Sequence, residues 1–264
     1  MLSLLSLGVV TIATATQFNT EVKQQSFLKS IEYQHRLRVC NAYPGTEVFR
    51  VEKAGQNLTK NGASLTYKEC QEAHMREPLK AGDRLSFFAD TLPMGSFTID
   101  ALPQYDAMLY IVVQRHDERS DAVAFQSHLF AAARNAQVAV MDTYVGKAKA
   151  ALLLANATGE GGASKGGIQS YTVMPFGTAF GVADGNYQVI LSDGSADSKI
   201  RSPLQTRQGE SYLVLRTGVG LAGKGSEMNL MVFPSPSWAD KSGVPKASVW
   251  NLSAVFLAVL ALLF

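Results

Sequence analysis

The densest chemical grouping in this chain is His116-Asp117-Glu118-Arg119, with Asp121 two residues further on. A histidine beside carboxylates is the material of acid–base catalysis or of a metal site, and loops between strands often carry such groups. His116, Asp117 and Asp121 are therefore the candidates for an acid/base or metal role. The group follows an apolar stretch ending at Val113, so an ordinary exposed loop is the competing expectation. The four histidines are His35, His74, His116 and His128. None has a partner at zinc-site spacing, and no Cys-x-x-Cys exists, so neither a metal nor a cofactor is expected. No serine sits in Gly-x-Ser-x-Gly, which leaves a nucleophile elbow without support. In Gly159-Glu-Gly-Gly-Ala-Ser-Lys-Gly-Gly167 the lysine precedes the last glycines. A phosphate cradle needs the opposite order, so a flexible surface loop is expected there.

These residues need a scaffold, and the sequence writes it in strands. Leu37–Tyr43, Leu85–Phe88, Phe97–Ile99, Met108–Val113, Val138–Met141, Tyr187–Leu191, Tyr212–Leu215 and Met228–Phe233 are short, β-branched or aromatic, and bounded by turn formers. Two stretches read as helical: Thr20–Gln34, and Ser127–Asn135 with its alanine run. The strands form two series. Tyr43 lies over Tyr144, Gly82 over Gly185, and Tyr110 over Tyr212, with matching gaps, and Met141 takes the place of Cys40. The predicted fold class is all-β: two tandem antiparallel β-sandwich domains with a short N-terminal helical segment. The expected divisions are 1–15, 16–35, 36–133, 134–234, 235–248 and 249–264. Tyr105, Tyr110, Tyr187 and Tyr212 are expected in the cores, and one ring of Phe87-Phe88 at an inter-domain seam.

The ends of the chain carry addresses. Met1–Ala15 is apolar and closes on Ala13-Thr14-Ala15, which predicts an export signal cut after Ala15. Val249–Phe264 is apolar, interrupted by Trp250 and Asn251, and shorter than the roughly 20 residues a bilayer core requires. Trp238–Ser248 upstream offers small residues and a polar spacer, so a glycosylphosphatidylinositol (GPI) attachment signal is expected. Ser242 is the expected lipid-bearing residue, with Asp240 and Gly243 next. The other readings of the tail are a spanning or tail-anchored helix and a buried helix. The two cysteines, Cys40 and Cys70, are expected to pair in an oxidising compartment. Such a loop of about 30 residues is worth about 3–4 kcal/mol in the chain-entropy account. Asn57-Leu-Thr59 and Asn156-Ala-Thr158 are the expected glycosylation sequons, while Asn251-Leu-Ser253 lies in the tail and is set aside. Formal net charge is +2 with no clustered basic stripe. His35-Arg36-Leu37-Arg38 reads as a solvated face, and no nucleic-acid partner is expected.

Leu37-Arg-Val-Cys-Asn-Ala-Tyr-Pro-Gly45, then Leu79-Lys-Ala-Gly-Asp83 before a strand, then Tyr110-Ile-Val-Val113, resembles a class of secreted β-sandwich repeat. That class is domain of unknown function 4397, and the resemblance implies tandem sandwiches. In the second half the opening is Asp142-Thr-Tyr-Val-Gly146, without the proline. Arg207-Gln-Gly-Glu210 is also similar to a turn in the periplasmic accessory protein of alginate acetylation. Either resemblance spans Leu37 to Phe233 and carries no catalytic residue across. The expectation is a GPI-anchored glycoprotein on the outer face of the plasma membrane, acting as a non-enzymatic binding, adhesion or coat module. Its partners would be the membrane, through the anchor, and a surface protein or glycan. The alternative is an enzyme or accessory factor of surface-polysaccharide modification.

Overall fold

The computed structural model describes residues 32–59, 62, 64–156, 171–193, 200–220 and 227–235. The expected export signal, the Gly159–Gly167 loop, Ser242 and the apolar tail lie outside the described residues, as does most of Thr20–Gln34. The described residues from Tyr33 onward belong to one compact unit.

Strands in the first half are β1 (His35–Asn41), β2 (Phe49–Lys53), β3 (Gln56–Asn57), β4 (Glu69–Glu72), β5 (Arg84–Ala89), β6 (Leu92–Thr98), β7 (Ala107–Arg115) and β8 (Val123–Ala131). The second half has β9 (Ala136–Asp142), β10 (Ala151–Asn156), β11 (Tyr171–Met174), β12 (Thr178–Val182), β13 (Gly185–Ser192), β14 (Ile200–Thr206), β15 (Ser211–Thr217) and β16 (Asn229–Phe233). They form four sheets, ordered β4-β1-β7-β8, β3-β2-β5-β6, β12-β9-β15-β16 and β11-β10-β13-β14. Adding eight to each strand number of the first pair yields the second pair. The duplication is therefore one of topology as well as of spacing.

The pairings are antiparallel except at the centre of the two inner sheets. There β1 runs parallel to β7 and β9 parallel to β15, whereas the sequence led us to expect antiparallel ladders throughout. Three apolar cores hold the sheets in a four-layer stack. Leu37, Phe49, Phe87 and Ile111 fill the first sandwich, and Val138, Leu152, Val189 and Val214 the second. The third core lies between the sandwiches, where Cys40, Tyr110, Val112 and Phe130 meet Met141, Leu213, Leu215 and Met231. Both faces of β1, β7, β9 and β15 are thus covered. That is why those strands read as nearly unbroken apolar runs.

Because the two halves share this middle layer, they form one body rather than two beads. The seam is also hydrogen-bonded: Thr217 Oγ1 donates to Ala42 O at 2.9 Å, and Gln126 Nε2 to Asp142 O at 3.0 Å. The Cys40–Cys70 disulfide joins directly opposed residues of β1 and β4. Covalently it staples the first half alone, yet its sulfurs belong to the shared core.

The tertiary pairing overturns several local expectations. Ser127–Asn135 is not helical; it is the end of β8 and the turn into β9. β8 pairs with β7 along its whole length, from Arg115↔Val123 to Ala107↔Ala131. That ladder outweighs the weak helical preference of the alanine run. Tyr110 does not occupy the place of Tyr212. In the parallel registers Leu37 meets Leu109 and its counterpart Val138 meets Tyr212, so Leu109 is the true equivalent. A one-residue slip reverses the face: Tyr110 points into the seam and Tyr212 into its own sandwich. Tyr105 is in the exposed β6–β7 connection rather than in a core. Phe87 is buried, and Phe88 lies on the outer face under the Arg50 guanidinium, away from the seam.

Candidate functional site

His116–Ala122 connects β7 to β8 at one pole of the stack. Asp117 organises this loop. Its Oδ1 accepts the backbone N–H groups of Arg119 (2.8 Å) and Ser120 (2.7 Å), while Oδ2 accepts the Ser120 hydroxyl. His116 Nδ1 also lies 3.1 Å from Oδ2. The Ser120 hydroxyl and these N–H groups hold the Asp117 carboxyl well below the usual carboxylate range. The order of contacts is Ser120–Asp117–His116, with the carboxylate in the middle. Activating a serine requires the imidazole in the middle, where it can take the hydroxyl proton. Here the histidine does not reach the hydroxyl, and the carboxylate is consumed by its own turn. Asp121 is equally committed: its Oδ1 lies 2.6 Å from the guanidinium of the buried Arg115. Of the sequence-predicted trio, His116 and Asp117 are brought into contact, while Asp121 turns to Arg115, and both carboxylates brace the loop. Among the described residues no three His, Cys, Asp or Glu side chains converge as metal ligands.

Arg115 and Arg216 play matching parts at this pole. Arg115 lies over the Tyr43 ring at 5.6 Å and Arg216 over Tyr144 at 4.4 Å. Each tyrosine N–H donates to the strand-end Asx two residues earlier, Tyr43 to Asn41 (2.9 Å) and Tyr144 to Asp142 (3.1 Å). The shared element of the two halves is thus Asx-x-Tyr-x-Gly, which survives the loss of the proline. In the second copy Gly146 lies under the Tyr144 ring: a Cβ there would stand 2.5 Å from Tyr144 Oη and push the ring aside.

The more built site was missed in the sequence. At the opposite pole, where β1, β7 and β15 begin, the seam opens into a cleft of about 210 Å³. Arg36 and Arg38, two residues apart on one face of β1, line it with Asp106, Met108, Glu210 and Ser211. Arg38 is buried, contrary to the expected solvated face. Its Nη1 donates to Tyr110 Oη at 2.5 Å and to Ser211 O at 3.3 Å, and its Nε to Glu72 at 3.4 Å. Tyr110 Oη passes the contact on, donating to Ser211 O at 2.8 Å. Burial by itself would lower the Arg38 pKa, but Tyr110, Glu72 and Glu210 outweigh it and the net direction is upward. Burial raises Tyr110 as well, so its hydroxyl stays protonated and able to donate. Arg36 forks onto Glu72 through Nε (2.7 Å) and Nη2 (2.6 Å). The Arg207–Glu210 turn forms the far lip, its Gly209 at φ +75° donating N–H to Arg134 O. Only the alternation of arginines at positions 36 and 38 hinted that both would share a face; which face was covered depended on the second half.

The sequons sit on strands rather than in loops. Asn57 is in edge strand β3, its Oδ1 held by Thr59 N (2.9 Å) and Oγ1 (2.5 Å). Asn156 closes β10 and is exposed.

Compared with known proteins, the chain matches no family model and no curated protein.

Proposed function

We propose that this chain is a secreted, surface-displayed binding or coat module without catalytic chemistry, held to the membrane by a GPI anchor near Ser242. The observation that carries the non-catalytic part is the wiring of the β7–β8 loop, in which Asp117 stands between Ser120 and His116 and also holds its own turn, so that no imidazole is placed to take the Ser120 proton. The disulfide supports an oxidising, extracytoplasmic setting. A third apolar core between the halves supports a rigid display element, since it leaves no free hinge for one sandwich to close on the other. The described chain enters at Glu32, before β1, and leaves at Ser235, after β16. Phe233 pairs with Leu213 near the start of β15, and its ring faces Arg38. Both ends therefore leave at the cleft pole. We also propose that the two halves are copies of the secreted repeat that the sequence resembles.

Phosphatidylinositol-specific phospholipase C applied to intact cells tests the display. Release of the protein into the medium is the expected result. Retention on cells after treatment, with a control anchored protein released, would sink the anchor.

A further inference from the structure

We propose that the seam cleft is a saccharide-binding site that takes one uncharged sugar unit. This rests on the display reading only for where the sugar would be met. The lining is balanced: Arg36 and Arg38 donate, while Asp106 and Glu210 accept. A small anion would meet Asp106 and Glu210, and a cation would meet the two guanidinium groups. A ligand whose groups both donate and accept satisfies both sets, and adjacent hydroxyls on a sugar ring do this.

Unspent bonding capacity is present on each side. Arg38 commits Nε and Nη1 within the fold, and its Nη2 makes no hydrogen bond among the described residues. Asp106 uses Oδ1 to accept Gln34 N–H at 2.8 Å, and its Oδ2 makes no hydrogen bond among the described residues. The carboxylate of Glu210 makes no hydrogen bond among the described residues, although its backbone carbonyl accepts Gln137 N–H at 3.0 Å. Met108 supplies an apolar patch for the C–H face of a ring. A cleft of about 210 Å³ accommodates one pyranose and little more. Both guanidinium groups are braced by Glu72, and Arg38 additionally by Tyr110, so little side-chain ordering would accompany binding.

The test uses the full-length protein in detergent on an array of neutral and acidic oligosaccharides, followed by titration of any neutral hit. Binding to neutral, hexose-terminated glycans is expected. Arg36→Ala and Glu210→Ala, both at exposed positions, should each weaken it by about ten- to a hundredfold, since each loses charge-assisted hydrogen bonds. Glu118→Ala, at the far pole, should leave it unchanged. Far-UV circular dichroism checks that every variant is folded. No glycan binding by the wild type, binding only to acidic glycans, or equal binding by the two cleft variants would each overturn the proposal. None of these outcomes depends on anchorage, so phospholipase release is judged separately.

Discussion

Replacing Tyr110 by phenylalanine removes one oxygen and keeps the ring in the seam. That oxygen accepts from the Arg38 guanidinium at 2.5 Å and donates to Ser211 O, in the other half, at 2.8 Å. Hydrogen bonds to charged groups are worth about 1.5–3 kcal/mol, and neutral ones about 0.5–1.5 kcal/mol. The ring contacts with Phe130 and Phe233 persist, so no packing loss adds to the sum. The expected cost of Tyr110→Phe is about 2–4 kcal/mol. With a urea m-value of about 2 kcal/mol/M, the unfolding midpoint should fall by about 1–2 M. Because the lost bonds cross the seam, hydrogen exchange should accelerate in both inner sheets, in β9 and β15 as well as in β1 and β7. Tyr212→Phe is the comparison, since it loses one bond inside one sandwich, from Arg207 N at 3.0 Å. A midpoint shift below about 0.3 M, or faster exchange confined to the first half, would refute a shared core.

Cys40→Ala combined with Cys70→Ala should destabilise the protein by about 3–4 kcal/mol, from the loop the bond closes in the unfolded chain; a loss under about 1 kcal/mol by denaturant titration would contradict this. Burial depresses the His128 pKa in the fold below its unfolded value near 6.5. The unfolded chain then binds more protons in that window, so this contribution is present above about pH 6.5 and is lost as pH falls through the lower folded value. His128→Gln should therefore flatten the decline in stability between pH 7 and pH 5 relative to wild type; an unchanged slope would show that other groups carry it.

Much of the scaffold was open to inspection in the linear chain. The central strands β1, β7, β9, β13 and β15 announce themselves because burial on both faces, or on one face with aromatic neighbours, demands unbroken or alternating β-branched residues. The duplication was legible because turns and strand lengths recur at fixed intervals even where side chains have diverged. The pairing of Cys40 with Cys70 needed only an even count and a compartment. Missing were β2, β3, β4, β8, β10, β11, β12 and β14, whose mixed polar, alanine or proline content is tolerated because ladders to stronger neighbours hold them.

What no local pattern contained was the seam. Whether Arg38, Tyr110 and Phe130 face water or protein depends on β15 and β16, some hundred residues away, arriving against β1 and β7. The same contact turns a run of basic residues into the wall of a cleft and places a disulfide in a common core. Likewise His116, Asp117 and Ser120 are visible as types, but only their order of contact in space distinguishes a braced turn from a reactive centre. Sequence determines strands through periodic burial; which side of a strand is buried twice is settled by the partner it finds.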